Sequence, residues 1–170
     1  MTVKNTVTKG FTLIFSVGVC LLVGSLSAYH TLPGAIIWYA DAKLQKAAFS
    51  LPIDVFSLIW MVSFVLMGLS LYLILQSGIR KHDVTPGFLL FALQILLLFG
   101  WSYAFFWMHS IFLAFMGIIA VWAILLSAII QIFRFSVVGG LLLVPYFFWI
   151  CYLVYFNYGI MVLNNLTFVV

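Results

Sequence analysis

The sequence predicts an all-α integral membrane protein, a five-transmembrane-helix bundle with a long first loop acting as a lid. Three observations carry that prediction. Hydrophobic residues make up 67% of the 170-residue chain and charged residues only 6%, with a mean hydropathy of +1.32, far from the balance of a soluble domain. The apolar residues gather into five runs of bilayer-crossing length, about 20 residues each, at 11–29, 53–76, 87–107, 110–133 and 137–163. The connections after the first are short, which forces neighbouring helices to pack antiparallel in one bundle spanning residues 1–170.

The first span, Phe11 to Tyr29, follows Lys4 and Lys9 and ends near the small pair Ser27-Ala28. That order also fits a cleaved signal peptide. A retained first helix is expected, because without it Arg80, Lys81 and Arg134 would share the side of the N-terminus with no other basic cluster to set orientation. The connection from Thr31 to Pro52 carries Trp38, Tyr39, Asp41, Lys43, Lys46 and Phe49. Loops this long are usually functional or disordered, and the aromatics argue against disorder. The loop is expected to fold over one end of the bundle, although an interfacial aromatic belt also accounts for Trp38 and Tyr39.

The second span places Phe56, Trp60, Phe64 and Met67 on one helical face, the third Gln94, Trp101 and Phe105, and the fifth Pro145, Trp149, Tyr152 and Phe156. The fourth contributes small residues, Gly117, Ala120 and Ala123, which permit close helix contact. Aromatic stripes at this spacing serve either packing or a ligand. Gln94 and Asn157 tip the reading, since amides inside spans must bond to a neighbouring helix or a ligand. Indole and phenol groups need partners there too.

Charge speaks here to topology rather than to nucleic-acid binding. Five basic residues, Lys4, Lys9, Arg80, Lys81 and Arg134, fall on one side, against Lys43 and Lys46 on the other. The positive-inside rule then puts the N-terminus in the cytoplasm and the first loop and C-terminus on the opposite side. Asp41, Asp54 and Asp83 lie in loops or at a span edge, which removes the intramembrane carboxylates that proton-coupled transport uses. His30, His82 and His109 are far apart, and Cys20 and Cys151 sit within apolar spans with no metal-ligand spacing. No catalytic residue, metal site or cofactor is expected.

Several blocks of the chain resemble the TspO/MBR family, the tryptophan-rich sensory proteins related to the mitochondrial translocator protein or peripheral benzodiazepine receptor. They are Trp38-Tyr39, Lys46, Pro52, Val55-Phe56, Ile59-Trp60 and Leu66-Met67-Gly68, then Gln94, Leu97, Trp101-Ser102, Phe105-Phe106 and Ala114, and finally Pro145-Tyr146, Trp149, Tyr152, Phe156-Asn157, Ile160 and Leu163-Asn164. The resemblance implies a five-helix bundle, commonly dimeric, with a pocket at one end closed by the first loop. It implies binding of porphyrins and haem-pathway intermediates, sterols or synthetic isoquinoline and benzodiazepine ligands, in a sensory, regulatory or transport role. Some bacterial members break down protoporphyrin in light, which implies an alternative as a light-dependent porphyrin-degrading enzyme; a passive transporter or regulatory partner is the other alternative.

By the same resemblance, Trp60 and Trp149 stand where family members have pocket tryptophans. Tyr39, Phe49, Phe64, Trp101, Phe105, Tyr146 and Asn157 are the further ligand-site candidates, with Lys43 or Lys46 placed to pair with a propionate. The chain departs from the family pattern at several points. Its first loop reads Lys46-Ala47-Ala48-Phe49-Ser50-Leu51-Pro52 in place of K-P-x-W-x-P-P, Leu98 replaces an asparagine, Gly117 replaces an acidic residue carried by some members, and Leu153 replaces a small residue after the fifth-helix tryptophan. Leu153 is expected to narrow the pocket. The absence of Lys or Arg after Asn157 removes the C-terminal sterol pattern.

Overall fold

The computed structural model describes residues 3–34, 39, 45, 50–78 and 84–164. They form α1 (Val3–Pro33), α2 (Ile53–Ser77), α3 (Thr85–Phe106), α4 (Ile111–Phe133) and α5 (Val137–Leu163), all five long and apolar enough to cross a membrane. The chain is an all-α multi-pass membrane protein. Trp38, Asp41, Lys43, Lys46, Phe49, Arg80, Lys81, His82 and Asp83 lie outside the described residues.

The helix ends follow local chemistry. α5 starts where Ser136 Oγ accepts the Gly139 N–H at 3.1 Å, an N-cap that satisfies one of the orphan donors of the first turn. α3 opens with Pro86 in its first turn, where a missing N–H costs nothing. Only a tight turn joins α3 to α4, and His109 takes φ 53° there, a left-handed conformation that histidine tolerates better than most residues. The first helix is longer than its apolar run, extending to Val3 and to Pro33. Hydropathy marks only what sits in hydrocarbon, whereas Thr31 Oγ1 bonds back to Ser27 O at 2.9 Å and the helix continues past the apolar run.

α1 packs on α2, α2 on α5, α5 on α4 and α4 on α3, and a thinner α3–α1 seam closes the ring. Both the inside and the lipid side are apolar, so the inward faces are distinguished by small, aromatic and amide residues. On α5 the buried face runs through Tyr146, Trp149, Ile150, Leu153, Asn157 and Ile160. Pro145, expected on the inward stripe, is instead exposed, because the one-residue offset to Tyr146 turns it about 100° away. Ser70 Oγ on α2 donates to Gly139 O on α5 at 3.0 Å, giving that helix pair a buried polar tie.

Candidate ligand-binding site

The aromatic residues of α2 meet those of α3 and α5 around Trp60. Successive turns of α2 place the Phe56 and Phe64 rings 5.7 and 5.8 Å from the Trp60 ring. Across the bundle, Trp60 lies 6.0 Å from Trp101 on α3 and 6.4 Å, edge-on, from Trp149 on α5. Phe56 closes the set at 5.1 Å from Trp149. Edge and offset contacts at these separations are the favoured geometries of aromatic pairs.

Buried amides fix this cluster. The Trp101 indole N–H donates to Asn157 Oδ1 at 3.2 Å, while Asn157 Nδ2 donates to Leu153 O at 2.8 Å. One turn of α5 from Trp149, the Tyr146 hydroxyl donates to Gln94 Oε1 at 3.0 Å. The two intramembrane amides therefore each bond to another helix, in both cases across the bundle between α3 and α5, the first of the two roles open to them. Among the described residues, Gln94 Nε2 and Trp149 Nε1 are buried with no hydrogen-bond partner.

Two cavities adjoin the cluster. A chamber of about 270 Å³, the lid chamber, is walled by Tyr39, Ser50, Leu51, Ile53, Phe56, Trp101, Phe105, Phe106, Tyr152 and Phe156. A larger one of about 420 Å³ lies between α1, α2 and α3 and includes Trp60, Phe64 and Ser102 in its walls. Ile53, Phe56, Trp101 and Phe106 wall both.

The predicted residues thus divide. Tyr39 and Phe105 wall the lid chamber, Trp101 walls both, and Trp60 and Phe64 wall the α1-side chamber. Tyr146, Trp149 and Asn157 wall neither and support the rings from behind, and the fully buried Leu153 lies among them, also away from both walls. Phe49 lies outside the described residues. Sequence reasoning missed Phe106 and the whole α1 wall. The small residues Gly24, Ser25 and Ala28 were the available signal, since a helix without bulk lets a neighbour approach or leaves a gap.

Three described residues between α1 and α2, Tyr39, Gln45 and Leu51, are each held against α3 or α5. Asn164, at the end of α5, pairs with the backbone of Gln45 through both amide atoms, accepting its N–H at 2.9 Å and donating to its C=O at 3.1 Å. The Leu51 N–H donates to the Tyr152 hydroxyl at 3.4 Å. Tyr39 rests between Phe105 and Phe156 at 6.2 and 5.9 Å. Burial lifts its phenol above the ordinary tyrosine range, with the neighbouring Ser50 side chain opposing the shift. Tyr39 is therefore neutral at physiological pH.

Five spanning helices ringed around buried tryptophans define a multi-pass integral membrane protein with an aromatic-walled cavity between α2, α3 and α5. Comparison with known proteins makes the class specific. The family profile described as "TspO/MBR family" matches residues 16–163, and the chain belongs to that family. It is 35% identical over 153 residues to the tryptophan-rich protein TspO of Chlorobaculum tepidum, covering 90% of this chain and 96% of that one. It is 28% identical over 152 residues to the tryptophan-rich protein TspO of Archaeoglobus fulgidus, covering 89% and 96%. It is also 28% identical over 151 residues to the translocator protein of Sus scrofa, covering 88% and 85%. Membership supports a receptor- or transporter-type role in the membrane.

Proposed function

We propose that the protein is a membrane receptor or carrier for a flat hydrophobic molecule, a tetrapyrrole such as protoporphyrin IX, held in the lid chamber. The observation that carries this reading is the ring set around that chamber, with Tyr39, Phe56, Trp101, Phe105, Tyr152 and Phe156 all on its wall. Aromatic and apolar burial supplies the affinity. The Tyr39 and Tyr152 hydroxyls orient ring-nitrogen or carboxylate groups, and Lys43 or Lys46 pairs with a propionate. Asn157 acts one step back, by holding the Trp101 indole. At about 270 Å³ the chamber is smaller than the roughly 300–1,000 Å³ of ligand sites, so a tetrapyrrole must widen it, beside Leu51, whose tie to Tyr152 is long at 3.4 Å. The reading includes a homodimer with the N-terminus cytoplasmic and the first loop on the opposite side.

A second reading rests on the tryptophan triad. Trp101, on the chamber wall, lies 6.0 Å from Trp60, which lies 6.4 Å from Trp149, an arrangement suited to redox exchange with a photo-excited porphyrin. One experiment addresses both. Protoporphyrin IX is titrated into the purified protein while tryptophan fluorescence is followed, and the complex is then illuminated while its absorption spectrum is recorded. Saturable quenching with a stable porphyrin band supports the receptor, and a band that decays only in the presence of protein supports the enzyme. Absence of saturable quenching removes the tetrapyrrole assignment.

A further inference from the structure

The larger chamber lies to one side of the lid site, and two close approaches bound it, one within α1 and one just past its C-terminal end. At Gly24 a β-carbon would sit 2.6 Å from Phe64 Cδ2 on α2, and at Gly34 one would collide with the Phe106 backbone carbonyl at the end of α3. Between these points the helices part, leaving about 420 Å³ between Ser25 and Ala28 of α1 and Ser57 and Met61 of α2.

The direction of opening follows from exposure. Ser25, Ser57 and Met61 wall the chamber and are exposed, whereas Trp101 and Ser102 of α3 wall it at 2% and 4% exposure. The mouth therefore lies between α1 and α2, and α3 forms the floor. Beside the mouth, Leu22 and Leu58 are 61% and 62% exposed within membrane-crossing segments. The mouth is thus continuous with the lipid-facing surface, and the medium that meets it is hydrocarbon. An unfilled apolar cavity forfeits dispersion contacts along its whole lining and does not attract water, so a hydrocarbon chain is its matching occupant.

We infer that the chamber between α1, α2 and α3 is a lipid site, taking one acyl chain of a bilayer phospholipid through the gap between Ser25 and Ser57 as far as Trp101 and Ser102. The inference stands independently of what the lid chamber holds. Because Phe56, Trp101 and Phe106 wall both chambers, a chain in one props the rings that shape the other, and lipid composition then tunes the lid site.

The test uses the full chain in nanodiscs of phosphatidylcholine carrying a mid-chain diazirine, irradiated and mapped for adducts by mass spectrometry. Adducts on Ser102 and Trp101 are expected, since lipid merely surrounding the bundle does not reach these buried residues. In S57F, which plugs the mouth, they fall at least about tenfold while adducts on Leu22 and Leu58 persist. S25F supplies an independent plug from the facing helix. Adducts confined to Leu22 and Leu58 in the unaltered protein, or labelling of Ser102 that both plugs leave intact, overturn the inference.

Discussion

The Trp101 indole N–H on α3 donates to Asn157 Oδ1 on α5 at 3.2 Å, with both side chains buried. These helices are not neighbours in the ring, so the bond crosses the bundle interior and fixes the edge of a ring that walls both chambers. Asn157→Leu leaves the indole donor unpaired. An interhelical hydrogen bond in a membrane contributes about 0.6 kcal/mol and up to about 1.7. Chemical unfolding of Asn157→Leu, Trp101→Phe and the double variant is expected to give a coupling energy in that range, and additive losses would mean that the bond contributes nothing.

Tyr146 and Gln94 form a similar pair with a different balance. Tyr146 donates to Gln94 Oε1 at 3.0 Å, but Gln94 Nε2 has no partner among the described residues. Tyr146→Phe strips the last hydrogen bond from the Gln94 side chain and is expected to cost about 1–3 kcal/mol. Adding Gln94→Met removes the orphaned amide, so the double variant is expected to recover most of that loss in the same unfolding measurement.

The α1–α2 contact depends on a missing side chain at Gly68, where a β-carbon would sit 2.6 Å from Val17 Cα. Backbone cannot yield as a flexible side chain can. Gly68→Ala is expected to destabilise by about 1–3 kcal/mol through overpacking. Gly100 has nothing within 4 Å of its would-be β-carbon, and Gly100→Ala is expected to be neutral or to stabilise by about 0.5–1 kcal/mol. Thermal denaturation of the two variants checks the order.

Asn164 pairs with the backbone of Gln45 as a strand backbone would. Asn164→Ala removes both bonds. Amide exchange at Gln45 is expected to accelerate at least about tenfold, with α2–α4 protection unchanged, because the loss is confined to the loop.

The five helices were legible because about 20 apolar residues in a row admit few other meanings, and the bonded state of Gln94 and Asn157 followed from the cost of an unpaired amide in hydrocarbon. The walls were less legible. Trp149 shares a helical face with Tyr152 and Phe156 in the sequence, yet it lies behind the wall while they line it, since spacing along one helix does not say how far a neighbouring ring intrudes. Here Phe56 and Trp60 occupy the space in front of Trp149. The α1-side chamber left no aromatic trace because its walls on that helix are small residues, and their effect depends on where α1 touches α2 and α3.

The most direct test of the central claim is the affinity for protoporphyrin IX of the unaltered protein, Phe105→Ala, Tyr39→Ala and Trp149→Phe. Phe105 and Tyr39 wall the lid chamber and Trp149 does not. The proposed site predicts Kd raised at least about tenfold, or about 1.4 kcal/mol, in the first two variants and by less than about twofold in the third. Unchanged binding in Phe105→Ala and Tyr39→Ala, with the loss falling on Trp149→Phe, would contradict it.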